Sequence, residues 1–305
     1  MDSFLKVSRL LGFQYLLIIL AILTRGGVDG HSWVDELTCA SGPFFTSRPL
    51  PPGIPTEGYI RDYVGRQSTQ IDQLTTFRIL DLSSNQPVCP PGRTSTGYSK
   101  KFPKLRATPG DLIKASYLEN GHIWQTLAGI NGPDAKPGTI YWYGTQTPKS
   151  DRDIASVLEW TPDGKGGDGE GFLLAATPFD DLVCIETGHE DAEEGRVGGP
   201  CSSYFRLPET AEEGKDFTVY WLWDYTEHFG PPKPGFIEWY SSCLDIAVIS
   251  KEDALKEIEE ARRNAQPLPT DSTPTKALNR HLRRQQLYNE RRKQAGEKKS
   301  SWFSW

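Results

Sequence analysis

Phe217-Thr218-Val219-Tyr220-Trp221-Leu222-Trp223 is the stretch on which the fold class turns. All but Leu222 of its seven residues are β-branched or aromatic, it holds no Gly or Pro, and it alternates as a half-buried strand should. Five similar runs flank it: Thr76–Leu82, Leu112–Leu118, Thr139–Tyr143, Gly171–Ala175 and Phe236–Ile249. Gly- and Pro-rich punctuation separates them, with Pro49–Pro55 and Pro231–Pro234 reading as long surface loops. The pattern predicts an all-β domain over residues 31–250, an immunoglobulin-like antiparallel β-sandwich with long loops.

The composition changes near residue 250. Residues 31–250 carry 18 Lys+Arg against 30 Asp+Glu, and residues 251–305 carry 13 against 8. An acidic core lacks the clustered positive charge that phosphate binding needs, so nucleic acid is excluded as a main partner. From Lys251 to about Ala265 the period becomes helical, with Ala254, Ile258 and Ala261 on one side. Residues 266–275 read as a linker. Ala277–Lys299 is a basic segment with too few apolar positions to pack, so residues 251–305 form a charged helix followed by a largely disordered tail.

At the other end, Lys6 and Arg9 precede an apolar run, Leu10–Leu23, that is short for a bilayer span. Val28 and Gly30 then stand at the −3 and −1 positions of a cleavage site, so residues 1–30 are expected to be a secretory signal peptide. The alternative is an uncleaved anchor. Cleavage after Gly30 makes His31 the first residue of a secreted, extracellular protein with no stable transmembrane segment.

Cys39, Cys89, Cys184, Cys201 and Cys243 all lie in the core, none at CxxC spacing. In a secreted chain that predicts disulfides rather than zinc, and an odd count predicts two bridges and one leftover thiol. The only methionine is Met1, so the mature chain offers a metal no thioether. Gly164–Gly169 fits GxGxxG without a strand–helix context and reads as a flexible loop. Calcium on Asp163, Asp168 and Glu170 is a minor alternative there, since the spacing of a calcium loop is missing.

Three segments carry the chemistry: His31-Ser32-Trp33, Tyr117–Trp124 with His122 after Gly121, and Glu238–Ile246 with Tyr240. An N-terminal histidine offers its α-amine and its imidazole together, and His122 adds a third nitrogen. Three nitrogens with a weak axial tyrosine suit copper, which stands highest among the divalent ions for such donors. Glu238 lies two residues before Tyr240, on the same strand face, where it can position or protonate an oxygen species. Trp33, Trp124 and Tyr141-Trp142-Tyr143 read equally well as a flat platform for sugar rings or as a Trp-rich core.

The chain resembles the histidine-brace copper proteins, the lytic polysaccharide monooxygenases of fungal type. There the mature N-terminal His and a mid-chain His hold copper, and a Gln-x-Tyr-x-x-Cys strand supplies the axial Tyr. Glu238-Trp239-Tyr240-Ser241-Ser242-Cys243 matches that strand with Glu for Gln. The resemblance implies one copper ion on His31 and His122, with Tyr240 at the axial position. It implies Glu238 and, at an offset of one residue, His228 as catalytic groups. It also implies the bridges Cys89–Cys243 and Cys184–Cys201, with Cys39 unpaired. The implied function is oxidative cleavage of a polysaccharide with an external electron donor. The alternative is a copper-binding or cell-surface protein, associated with a cell wall, that does not cleave polysaccharide. The resemblance spans His31 to about Ser250.

Overall fold

The computed structural model describes residues 31–46, 49–83, 85–120, 136–149, 152–181, 184–185, 197–226 and 237–265. Two sheets stack as a sandwich. The first has the order β10-β5-β1-β2, from Cys201–Arg206, Leu112–Tyr117, Val34–Cys39 and Glu57–Gly58, and is antiparallel throughout. The second has the order β3-β12-β11-β6-β7, from Arg78–Ile79, Trp239–Val248, Asp216–Asp224, Thr139–Thr145 and Phe172–Pro178. β4, Leu105–Ala107, joins the free edge of β12 in parallel, Leu105 opposite Ile246. β3 pairs with the other end of β12, Arg78 opposite Tyr240, so two short segments share one edge. A two-residue parallel pair, β8 (Cys184–Ile185) and β9 (Val197–Gly198), completes the sheet structure.

β11 is not half-buried. Seven consecutive residues, Phe217 to Trp223, are all buried. As a central strand, it presents Val219, Trp221 and Trp223 to the first sheet and Tyr220 and Leu222 to a second apolar layer. Between the sheets, Tyr117 meets Trp221 at 6.0 Å between ring centres, and Trp142 meets Phe205 at 4.6 Å and donates to Ser203 Oγ at 3.1 Å. On the far side of the second sheet, Tyr220, Leu222, Trp239 and Cys243 pack with Ile154, Val157 and Trp160. These come from a short helix, α2 (Ile154–Leu158), and the turn after it. The second layer is why alternation fails as a guide: apolar residues on both faces of a strand signal burial on both faces.

The structure places Trp33, Trp142 and Tyr143 in the core, at 0%, 0% and 3% exposure, which settles the platform question for them in favour of packing. Trp124 lies outside the described residues. Asp168 in the Gly164–Gly169 loop and Glu170 just after it both pair with the buried Arg152, and Glu170 also with Lys149. Trp160 Nε1 donates to Asp168 Oδ1 at 2.7 Å. These carboxylates close a structural ion-pair network rather than a calcium loop.

The disulfides are Cys89–Cys243 and Cys184–Cys201, and Cys39 is a buried thiol. α1 (Ile71–Thr75) is the remaining short helix among the described residues, absent from the sequence reading. α3 (Lys251–Asn264) starts where the period changes: Ser250 Oγ accepts from the Asp253 N–H at 2.9 Å and donates to its carboxylate at 2.8 Å, a capping pair. The chain divides into two compact units, residues 1–50 with 54–257, which holds both sheets, and residues 51–53 with 258–305. Among the described residues no helix is long and apolar enough to cross a membrane.

Candidate metal centre

The antiparallel registers bring the start of β1, the end of β5 and the start of β12 to one end of the sandwich. Val34 lies opposite Tyr117, and the Val34 N–H donates to Ser242 Oγ across the sheets at 3.2 Å. Just upstream, the buried Ser32 donates its hydroxyl to the Leu118 carbonyl at 2.7 Å. These two anchors fix the residue before them, His31, at the end of the sandwich where β12 begins with Trp239 and Tyr240.

His31 is partly exposed, its side chain at 28%. Its Nε2 lies 3.0 Å from Asp72 Oδ1 on α1, and its ring stacks on Trp33 with 5.9 Å between centres. Trp33 is fixed in turn. Its Nε1 donates to Asp35 Oδ1 at 3.0 Å, and the Arg66 guanidinium lies 4.6 Å from its ring centre. Arg66 pairs with Asp35 and donates to Asn120 Oδ1 at 2.9 Å. Asn120 has φ +46°, a left-handed conformation that asparagine tolerates better than most side chains. None of Asp72, Arg66 or Asn120 was foreseen. Their partners lie tens of residues away in sequence, and no motif links them.

Glu238 and Tyr240 meet as their two-residue spacing predicts. The Tyr240 hydroxyl donates to Glu238 Oε1 at 2.6 Å, and Arg78 Nη1 lies 3.7 Å from the same oxygen. Tyr240 is fully buried, wedged against Trp223 and Tyr225 at 5.4 and 6.1 Å between ring centres. Burial, then the hydrogen bond and charge of Glu238, hold its phenol well above the ordinary tyrosine range. Tyr225 is pushed the same way by burial and by Glu238. Tyr240 is therefore a neutral phenol whose proton is directed at a carboxylate.

His122 and His228 lie outside the described residues. Of the sequence-derived set, the structure gives contacts for His31, Glu238 and Tyr240. An imidazole nitrogen, a phenol and a carboxylate are a nitrogen-and-oxygen donor set compatible with copper(II). Among the described residues a single group of three or more His, Cys, Asp or Glu side chains brings its ligating atoms together, Asp181, Cys184 and Cys201. Two of its members are joined as a disulfide, so it is no metal site.

Solved structures similar to this chain include a cellulose-active polysaccharide monooxygenase from M. thermophila, 14% identical with a TM-score of 0.33, covering 72% of this chain and 78% of the other. A glycoside hydrolase family 61 member from Hypocrea jecorina is 12% identical with a TM-score of 0.34, at 72% and 82% coverage. A lytic polysaccharide monooxygenase from Streptomyces lividans is 11% identical with a TM-score of 0.27, at 65% and 80%. No curated protein matches the chain. A family model described as a domain of unknown function, DUF7492, matches residues 28–275, and with most of its length covered the chain belongs to that family.

Proposed function

We propose that this protein is a secreted copper protein of histidine-brace type that oxidatively cleaves a polysaccharide with an external electron donor. The observation that supports the reading is the hydrogen bond from the Val34 N–H to Ser242 Oγ, which ties the segment after His31 to the strand that carries Tyr240. Ser32 and Val34 anchor the segment that follows the histidine, and Glu238, just before β12, pairs with Tyr240 near its start. After cleavage behind Gly30, the α-amine and imidazole of His31 and the imidazole of His122 would hold the metal, with the phenol of Tyr240 as a further donor. Bound copper supplies one-electron chemistry toward dioxygen or peroxide, the oxidising power needed to hydroxylate a glycosidic carbon.

The chain's own residues do the rest. Tyr240 donates to Glu238, so it would offer the metal a neutral phenol, a weak donor, rather than a phenolate. Glu238 Oε1 accepts that proton's hydrogen bond and has Arg78 beside it, so it can hold and return a proton at that oxygen. The fully buried Trp33 and Trp223 back the His31 and Tyr240 rings respectively. The two disulfides fit an oxidising, extracellular compartment.

The test is a copper titration of protein processed to begin at His31, followed by electron paramagnetic resonance. A form carrying one extra residue before His31 runs alongside. Tight one-to-one binding with a type-2 nitrogen spectrum, lost in the extended form, is the expected result, followed by oxidised ends on a polysaccharide panel. Binding indifferent to the extra residue overturns the brace. Tight binding with no oxidised ends on any polymer leaves a copper-binding protein without cleavage.

A further inference from the structure

His31 is held from two sides. Its Nε2 lies 3.0 Å from Asp72 Oδ1, and its ring stacks on Trp33 with only 18° between planes. Neither neighbour is loosely placed. Trp33 is fully buried, hydrogen-bonded to Asp35 and backed by the Arg66 guanidinium. Asp72 follows Ile71, whose buried side chain anchors α1, and the helix closes where the Thr76 N–H donates to the Asp72 carbonyl at 3.1 Å.

The two nitrogens of an imidazole are chemically distinct, and a carboxylate bound to one fixes the proton there. They also differ in reach. Nδ1 lies close enough to the residue's own main-chain nitrogen to join it in a six-membered chelate, whereas Nε2 points away from the backbone. The carboxylate therefore sits on the nitrogen that a chelate does not use. Metal-bound histidines commonly carry such a partner on the distal nitrogen, which sets ring orientation and raises ligand basicity.

We propose that Asp72 is a positioning residue of the copper site, holding the proton of His31 on Nε2 so that Nδ1 is the nitrogen presented to the metal. Trp33 sets the plane of the ring and Asp72 sets its rotation within that plane. The proposal rests on the copper reading above. It assigns a role to an exposed carboxylate on a five-residue helix that sequence gives no reason to notice.

Copper(II) itself is the probe, titrated calorimetrically into protein beginning at His31, with paramagnetic resonance spectra and copper-free thermal midpoints recorded for each variant. Asp72→Ala is expected to weaken copper binding about 10- to 100-fold and to alter the nitrogen hyperfine pattern. The copper-free midpoint should stay close to wild type, because the carboxylate is largely exposed (59%). Asp72→Glu should recover most of the affinity, which a purely structural role would not require. Asp72→Asn, isosteric but uncharged, carries the same comparison if the alanine variant folds poorly. Wild-type affinity and an unchanged spectrum in both Asp72→Ala and Asp72→Asn overturn the positioning role and leave the brace standing. Failure of the wild type to bind copper overturns the copper reading and this proposal with it, so the two failures are told apart by which protein fails.

Discussion

At the residue scale, Tyr240 and Cys39 show burial controlling chemistry in opposite ways. Tyr240 keeps its proton because desolvation and Glu238 both oppose ionisation, and that proton is spent on one hydrogen bond. Tyr240→Phe leaves Glu238 without its phenol donor, with Arg78 beside it. A loss of about 1–3 kcal/mol is expected, measured by urea unfolding at neutral pH. Cys39 is a thiol pushed up to about 12 by burial and by the Asp111 charge. The thiolate is the reactive form, so a thiol reagent at pH 8 should leave Cys39 unmodified in the native protein and label it once denaturant unfolds the chain. Rapid native labelling would show that the site opens. The odd count left one thiol over and the resemblance made it Cys39, but its inertness comes from β1 lying inside the first sheet.

At the element scale, β12 does the most. Its N-terminal residues bring Tyr240 to the candidate centre, Cys243 carries a disulfide, and Asp245 anchors a buried ion pair. Arg61 reaches Asp245 through two hydrogen bonds of 2.8 and 2.7 Å, while Thr218 and Tyr98 donate to the same carboxylate. Burial pushes the Asp245 carboxyl up, but the Arg61 contacts with Thr218 and Tyr98 outweigh it, and the net is a depressed pKa. A depressed carboxylate adds stability that is fully present above its unfolded pKa, near 3.9, and is lost as pH falls through the lower folded value. Asp245→Asn should cost about 3–5 kcal/mol at neutral pH, because it strands a buried guanidinium. Its deficit relative to wild type should shrink as pH drops below about 4, read from denaturant unfolding across acid pH. A deficit independent of pH would mean that the hydrogen bonds, not the charge, carry the effect.

At the scale of the whole molecule, the two disulfides tie very different lengths of chain. Cys89–Cys243 spans 154 residues and Cys184–Cys201 spans 17. Loop-closure entropy puts their contributions near 5 and about 3 kcal/mol, so the Cys89→Ala/Cys243→Ala protein should be the less stable of the two bridge-deleted forms by calorimetry. The longer bridge also pins the Cys89 segment against the second apolar layer, joining Val88, Trp160 and Tyr220 in one cluster.

How much of this was legible in sequence follows from which interactions are local. Strands β5, β6, β11 and β12 announced themselves by composition, because aromatic and β-branched runs pack well on a pleated surface wherever they fall. The Glu238–Tyr240 contact was legible for the same reason, since a period of two is a property of the strand alone. β1, β4 and β10 were missed: Val34–Cys39, Leu105–Ala107 and Cys201–Arg206 mix charged and small residues, and only pairing across the sheet makes them strands. β11 was read as half-buried because its alternation was weighed above its apolar residues on both faces, which are the sign of the layer built by α2 and Trp160. The cradle of His31, from Asp72, Trp33 and Arg66, was invisible for the strongest reason. It is assembled from segments separated by more than thirty residues, and only the closed sandwich brings a carboxylate on α1 to the nitrogen of a histidine at the head of β1. The sequence by itself determined the all-β class, the presence of one odd thiol and the donor types on offer. Tertiary structure decided which donors meet, because burial and long-range hydrogen bonds exist only once the two sheets have packed.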